Sequence, residues 1–392
     1  MDGYTTVYEI NLDNVVFNYE TVTEYVAPSQ VIPVLKGNAY GHGAVALARV
    51  LTEVGCTRLA VAKICEALQI RKAGIGPEKA DVLIMTAMLP HEIDRAVEID
   101  ASFFVQDFRT LDYVRAVAAS LPRPPRIHIK VDTGMGRMGF MPEEGRAVGE
   151  ALRSLKRCKV EGFGTHLSVA GEESDQNQRQ LDRLDAFLAD AKPPEGMLIH
   201  IASSSAVCRF PKMFKTAVRV GDLIYGFSGV DNPPFEQRPA LSCMTRVIQV
   251  KRLPPGWHIG YGASRWVKTP IVTATVAMGT GDGLMGSQAG RAHLLIHGKR
   301  CRLLATCADT AIVDISAVDG VEPGDVAVYI GRQGGESIGA REQAVAAGTG
   351  FSELLSKASL RSPRAYLRHG KCVGEMSFEK TVGYAALDWS EW

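Results

Sequence analysis

Residues 126–164 read RIHIKVDTGMGRMGFMPEEGRAVGEALRSLKRCKVEGFG. The apolar run Arg126–Val131 is strand-like, a glycine-rich stretch follows, and Pro142 suits the first position of a helix over Pro142–Leu155. A second strand-like run, Lys159–Gly164, closes this strand–helix–strand unit. The unit recurs on both sides. Further strands are expected at Val31–Lys36, Arg58–Ala62, Asp81–Met85, Ala101–Val105, Met197–Ile201 and Ala217–Val220, with amphipathic segments at Ala44–Val54, Ile64–Ala73, Thr110–Ser120 and Gln176–Ala191. Eight strands at intervals of about 25 residues predict an α/β fold, either a (β/α)8 TIM barrel or a long doubly wound sheet, and the barrel fits better because open sheets of that size are uncommon. The texture changes near Pro233-Pro234. Runs with β-branched alternation follow at Met244–Lys251, Ile271–Met278, His293–His297, Arg302–Ala305, Thr310–Ser316 and Asp325–Ile330, interrupted by helix-like Ala340–Gly348 and Ser352–Ala358. The expected organisation is a barrel over 9–235 and a C-terminal antiparallel β domain over 236–392 that also takes residues 1–8.

Composition narrows the function classes. The chain has 392 residues, 46% hydrophobic and 22% charged, with Lys+Arg 44 against Asp+Glu 43 and a net charge of +1. Such a chain can bury a large core, and it lacks the basic field that a general nucleic-acid binder uses. Its longest apolar stretches, such as Val82–Pro90, fall well short of a membrane helix. The opening residues are acidic where an export signal is basic and then apolar. Eight cysteines are scattered without a CxxC pair, as in reduced thiols. A soluble cytoplasmic protein is expected, with no nucleic-acid or membrane partner.

In a barrel, chemistry sits at the carboxyl ends of the strands. That rule selects Lys36, Lys130, Asp132, His166, His200, Ser204 and Arg219. A lysine closing the apolar run VIPVLK is either a strand-end side chain snorkelling to water or an amine whose pKa is lowered by burial, as nucleophilic lysines require. Ser203-Ser204-Ser205 before a helix is either an anion cradle or a plain N-cap. Arg219 adds a cation to the same late loops, or makes an ordinary ion pair. The spacing Gly134-x-Gly136-x-x-Gly139 imitates a dinucleotide loop, but the helix opens only at Pro142, which argues against NAD. Neither the nine histidines nor the cysteines show metal-ligand spacing, so no metal is expected. Gly279–Gly283 reads as a hairpin turn.

The run VLKGNAYGHG (Val34–Gly43) closely resembles the cofactor-lysine motif of the alanine racemase family, fold-type III pyridoxal-phosphate enzymes. The likeness extends over about residues 5–366 through KVDTGMGRMGF (Lys130–Phe140), Gly164-Thr165-His166, Val218-Arg219, Gly260–Ala263, Cys307-Ala308-Asp309 and RSPRAY (Arg361–Tyr366). The resemblance implies a pyridoxal 5'-phosphate-dependent isomerase that interconverts L- and D-amino acids. By that likeness Lys36 carries the cofactor aldehyde as a Schiff base, and Tyr40 and Ser204 hold the phosphate with amides around Gly221 and Asp222. His166 packs against the ring, and Arg219 faces the ring nitrogen. Arg137 bonds the phenolic oxygen and is oriented by Lys130, which is carbamylated in some relatives. Lys36 and Tyr261 of the partner subunit are then the two bases, one on each face of Cα, so the working unit is a homodimer.

Three departures bear on the substrate. Where the family has bulky residues lining the pocket and channel, this chain has Thr280, Ala308 (after Cys307) and Ser352. An enlarged pocket implies either alanine racemisation compensated by repacking, or a larger or more polar substrate such as serine or a basic amino acid. It could also admit an aldolase or transferase reaction on the same cofactor, which the retained Tyr261 disfavours. A non-catalytic cofactor-binding protein is disfavoured by the intact Lys36, Tyr261 and Arg219. The segment after Tyr366 lies outside the resemblance.

Overall fold

Strand β1 (Val7–Asn11) and the helix Leu12–Val26 lead into eight short parallel strands: β2 (Gln30–Pro33), β3 (Arg58–Val61), β4 (Asp81–Ile84), β5 (Ser102–Val105), β6 (Arg126–Lys130), β7 (Lys159–Gly164), β8 (Leu198–His200) and β9 (Ala217–Val220). The computed structural model describes residues 3–262 and 265–377. Neighbouring strands pair in the order β2-β9-β8-β7-β6-β5-β4-β3. The two ends meet where Val34 bridges Ala60 and the Leu35 N–H donates to the Ala60 carbonyl at 2.7 Å, which closes the barrel. These strands are buried on both faces, so they read as near-continuous apolar runs, with Ile32, Val82, Phe103, Ile127 and Ile129 inaccessible to solvent.

Two details depart from the sequence reading. The first strand ends at Pro33, and Lys36 opens the following turn rather than closing the strand. The helix Leu12–Val26 was not expected because its valines and threonines favour strand. Val15, Tyr19, Val22 and Val26 nevertheless form one buried stripe at helical spacing. Asn18 pins that helix, donating to the Ile224 and Arg238 carbonyls at 3.2 and 2.8 Å and accepting from the Arg238 N–H at 2.9 Å.

The second unit contains β10 (Leu241–Leu253), β11 (Ile271–Val276), β12 (His293–Ile296), β13 (Lys299–Thr306), β14 (Ala311–Asp314), β15 (Val326–Gln333), β16 (Glu336–Ile338), β17 (Arg364–Arg368) and β18 (Lys371–Met376). The first half of β10 pairs with β15 and the second half with β11, across a register shift at Val247/Gln249. Because β15, β12, β13, β14 and β11 also pair in series, the six strands form a closed antiparallel ring. Strand β1 adds to β10 antiparallel and to β17 parallel, so the extended sheet is mixed. By contacts the units divide as Asn14–Ala39 with Ala44–Pro239, and Met1–Asp13 with Tyr40–Gly43 and Ala240–Trp392. In this division the four residues after Ala39 cluster with the β unit. Ala263 of the Gly260–Ala263 motif and the end of the tail, 378–392, lie outside the described residues.

Gly279–Gly283 is not a hairpin turn, since the strands flanking it, β11 and β12, are not paired. It is a loop folded around a buried carboxylate. Asp282 accepts from the Gly279 N–H at 2.8 Å, from Arg361 Nε and Nη2 at 2.8 Å each, and from the Ser362 hydroxyl at 2.9 Å. Removing it leaves the loop amide, the hydroxyl and half of a bidentate pair without their acceptor. Asp282→Ala is therefore expected to lower unfolding stability by about 3 kcal/mol in urea titrations, with the transition's slope unchanged. A loss below about 0.5 kcal/mol, the range of ordinary surface substitutions, would refute this role for Asp282.

Candidate active site

The chain leaves β2 through a left-handed turn. Gly37, Asn38 and Ala39 have φ/ψ of 62/42°, 53/48° and 55/48°, and Tyr40 has φ 50°. The turn sits between two anchors. Glu66 Oε1 accepts from the Gly37 N–H at 2.6 Å, and Asn38 Oδ1 accepts from the Ala44 N–H at 2.9 Å, joining the turn to the helix Ala44–Glu53. The other Glu66 oxygen accepts from the N–H groups of Ala62 and Lys63 at 2.8 and 3.0 Å. Lys36 is thereby presented at the barrel mouth.

Arg219, on β9, lies buried beneath the mouth. Its Nη1 donates to the His200 carbonyl at 2.7 Å and to His200 Nδ1, and its Nη2 donates to the Thr165 carbonyl at 2.6 Å and lies 3.4 Å from His166 Nδ1. Since a guanidinium can only donate, His200 Nδ1 must accept, and the ring proton resides on Nε2. That proton points to His128 Nδ1 at 3.0 Å. The same logic puts the His128 proton on Nε2, facing Glu161 Oε2 at 3.8 Å. Glu161 is held by Arg126 at 2.7 and 3.1 Å. Burial alone would raise the Glu161 pKa, but the facing His128 imidazole, the bonds from Arg126 and the nearby Arg58 bring it down to about 2. A polar chain therefore runs through the barrel from β9 to a carboxylate on β7. Gly164 makes room for it, because a Cβ there would lie 2.4 Å from His200 Cε1.

Cations crowd the mouth. Lys130 is buried, with Nζ 3.0 Å from the Val131 carbonyl. Burial and repulsion from Arg219 and Arg137, only partly offset by Asp132, bring its pKa down to about 7. Burial and the same three cations, together with Lys36, hold His166 neutral with a pKa of about 3. Burial and then Arg137 lower Arg219 to about 10. Crowding by protein lowers Lys36 as well, with Arg137 and Arg219 adding repulsion and Asp222 and Glu66 opposing it.

Asp132 does not neutralise this field. Its Oδ1 accepts from the N–H groups of Gly134, Met135 and Gly136 at 3.0, 2.9 and 3.1 Å, and its Oδ2 from Arg137 N–H at 2.7 Å. Burial would raise its pKa, yet those four amides lower it. The glycine loop that imitates a dinucleotide fingerprint thus wraps an internal carboxylate where a phosphate would sit, and in doing so sets the backbone of Arg137.

Ser204 opens the helix Ser204–Arg209, and its hydroxyl accepts from the Gly221 N–H at 3.1 Å, one residue before Asp222 begins a 3-10 turn. The Ser203 side chain makes no capping bond. In the β unit, Thr280 N–H donates to the Cys307 carbonyl at 2.9 Å and Gly281 N–H to the Ala308 carbonyl at 2.8 Å. Those bonds place Thr280, Cys307 and Ala308 side by side. Ser352 lies in the helix Phe351–Ser356, and Tyr261 is 82% exposed. Glu66 and His128 carry no motif that could have singled them out in the sequence, because one binds backbone amides and the other acts through a second histidine.

A barrel with an amine just past the end of its first strand, ringed by cations, suits a ligand that bears anionic groups and an electrophilic carbon. The donor set fits a phosphorylated aldehyde cofactor. Comparisons with known proteins agree. Residues 10–229 match the family model "Alanine racemase, N-terminal domain", and residues 240–366 match "Alanine racemase, C-terminal domain". The alanine racemase of Carboxydothermus hydrogenoformans is 35% identical over 372 residues, covering 92% of this chain and 98% of the relative. That of Methanococcus maripaludis is 33% identical over 370 residues, covering 92% and 98%. Among solved structures, Bacillus anthracis alanine racemase with bound L-Ala-P superposes with a TM-score of 0.88 at 31% identity, covering 97% of this chain and 100% of that one. The Streptomyces lavendulae enzyme gives 0.87 at 32%, covering 94% and 98%. The chain belongs to the alanine racemase family. It is an amino-acid racemase, an isomerase of a pyridoxal-phosphate-dependent family.

The position of Lys130 has a measurable consequence. Unfolded, its amine keeps the ordinary pKa of 10.5, against about 7 in the fold. Between those values the unfolded chain binds a proton that the folded chain has released, so stability rises with pH through that window. Below about pH 7 both states carry the proton, and the full penalty of a buried ammonium is present. In cofactor-free protein, Lys130→Met should reduce the rise in urea midpoint from about pH 6.5 to 9. An unchanged slope would show that the proton is lost elsewhere.

Proposed function

We propose that this racemase acts as a cytoplasmic homodimer on an amino acid larger or more polar than alanine, serine being the simplest candidate. The observation that carries the site assignment is the convergence of Arg137 and Arg219 on Lys36 just past the first barrel strand, with Lys130 beside the same two arginines and His166 within reach of all four. Lys36 is the covalent attachment point for pyridoxal 5'-phosphate. Tyr40, Ser204 and the amides of Gly221 and Asp222 hold its phosphate. Arg137, its backbone set by Asp132, would meet the phenolic oxygen, and His166 would pack beside the ring.

The bound cofactor supplies an electron sink that acidifies the Cα proton of the amino acid. Arg219 would face the ring nitrogen and, as a cation, oppose protonation there. The amine of Lys36, its pKa lowered, takes and returns the proton on one face of Cα. Tyr261 of the partner subunit does so on the other. Three aromatic side chains, Tyr261, Trp257 and Trp266, are exposed in the single chain, and such a patch supports a covering partner. The eight cysteines are all free, in keeping with a reducing compartment, and among the described residues no helix is long and apolar enough to cross a membrane.

The substrate reading rests on Thr280, Ala308 and Ser352. Each is smaller than the residue the family likeness leads one to expect, and Thr280 and Ser352 each carry an aliphatic hydroxyl.

Two measurements test the reading. Lys36→Ala should abolish both the cofactor's visible absorbance on the protein and racemisation, while Tyr261→Phe should suppress deuterium exchange at Cα from one enantiomer far more than from the other. Full activity in the first variant, or equal loss from both enantiomers in the second, would defeat the two-base assignment. Separately, a chiral product assay across the common amino acids should show turnover of serine or a basic amino acid at least matching alanine. A strong preference for alanine removes the substrate proposal and leaves the racemase itself untouched.

A further inference from the structure

Three consecutive non-glycine residues, Asn38, Ala39 and Tyr40, hold left-handed backbone at φ 53°, 55° and 50°. A residue with a Cβ is strained in this conformation, so the turn persists only where its surroundings over-determine it. Glu66 fixes its front end and the Asn38 side chain its middle. The back end is held by a residue far along the chain. Arg364 is 0% exposed, and its Nε donates to the Gly41 carbonyl at 2.7 Å. The remaining donors serve the carbonyls of Ser359 at 3.0 Å, Ser362 at 3.2 Å and Ala358 at 2.9 Å, and the guanidinium lies 5.5 Å from the centroid of the Tyr8 ring.

We propose that Arg364 is a positioning residue for the cofactor site: by gripping the Gly41 carbonyl it fixes the left-handed turn that carries Lys36 at one end and Tyr40 at the other. The inference rests on the assignment of Lys36 and Tyr40 to the cofactor made above.

A buried guanidinium bound only to neutral carbonyls is an expensive way to fill space, since an apolar side chain of similar volume would avoid its desolvation. What the guanidinium alone provides is a rigid fork of donors that ties four carbonyls of two chain segments into one geometry. The arrangement has no slack. Gly41 has φ +84°, and a Cβ there would lie 2.2 Å from the Leu355 carbonyl oxygen, so the turn is pressed against the segment that Arg364 organises. A lysine in its place keeps the charge and reaches fewer carbonyls. Freed at Gly41, the turn can relax toward right-handed backbone, which rotates the Tyr40 side chain away from the phosphate.

The test is a double-mutant cycle on cofactor affinity in the full chain, read by absorbance as pyridoxal 5'-phosphate is titrated into cofactor-free protein. Arg364→Lys and Tyr40→Phe should each raise the dissociation constant about tenfold, and together still about tenfold, because Arg364 acts through Tyr40. A combined loss near a hundredfold, or no loss with Arg364→Lys, overturns the proposal while leaving the cofactor site standing. No loss with Tyr40→Phe alone overturns the assignment of Tyr40 and the proposal with it. Hydrogen exchange on the wild-type chain tests the same idea where variants fold poorly. The amides of Gly37 and Ala39, bonded to Glu66 and to the Leu35 carbonyl, should be protected before cofactor is added. Protection that appears only with cofactor means the ligand builds the turn, and Arg364 does not.

Discussion

A guanidinium without a carboxylate governs the barrel mouth. Arg219 is satisfied by two carbonyls and an imidazole, so its hydrogen bonds are met while its charge is not. Burial first, and then that charge among others, bears on every nearby base: His166 is kept neutral, Lys130 titrates near neutrality, and Lys36 is lowered, in its case more by Arg137 than by Arg219. The His200–His128–Glu161 chain orients the guanidinium without cancelling it, because two neutral rings separate it from the negative end. Direct contact with Glu161 would have neutralised the site.

The carboxylates near the mouth follow the same logic. Asp132 and Glu66 are bound by main-chain amides, four in one case and three in the other, so their charge shapes the loops they hold. Arg364 is the converse case, a cation satisfied by main-chain carbonyls. In all three the side chain holds backbone, and the backbone then holds the chemistry.

What could be read from the sequence follows this division. Strands of the barrel are buried on both faces and announce themselves as apolar runs, and six strands of the β unit show β-branched alternation. Lys36, Lys130, His166, Ser204 and Arg219 come together because strand ends converge in a barrel, which needs only correct strands. The helix Leu12–Val26 was hidden by residues of low helix propensity, overridden by a buried stripe. Strands β1 and β17 pair across most of the chain's length, and no local pattern encodes such a partner. Glu66, His128 and Arg364 were illegible for a related reason. A side chain that binds amides, carbonyls or a second histidine leaves no motif, since its partners are present in every sequence. The Gly279–Gly283 loop looked like a turn because glycines mark turns, and its purpose, burying Asp282 against Arg361, lies 79 residues away.

Closure of the six-stranded ring by the double pairing of β10 has a bearing on colloidal behaviour. Strands β10 to β15 pair round the ring, with β1 added to β10 and β16 to β15, so among the described residues the open rims of this sheet fall to β16 and β18. The first is three residues long and begins with Glu336, and the second carries Lys371 and Glu375. Short or charged rims offer a poor template to a passing strand. Edge-to-edge pairing between copies through this sheet is therefore disfavoured.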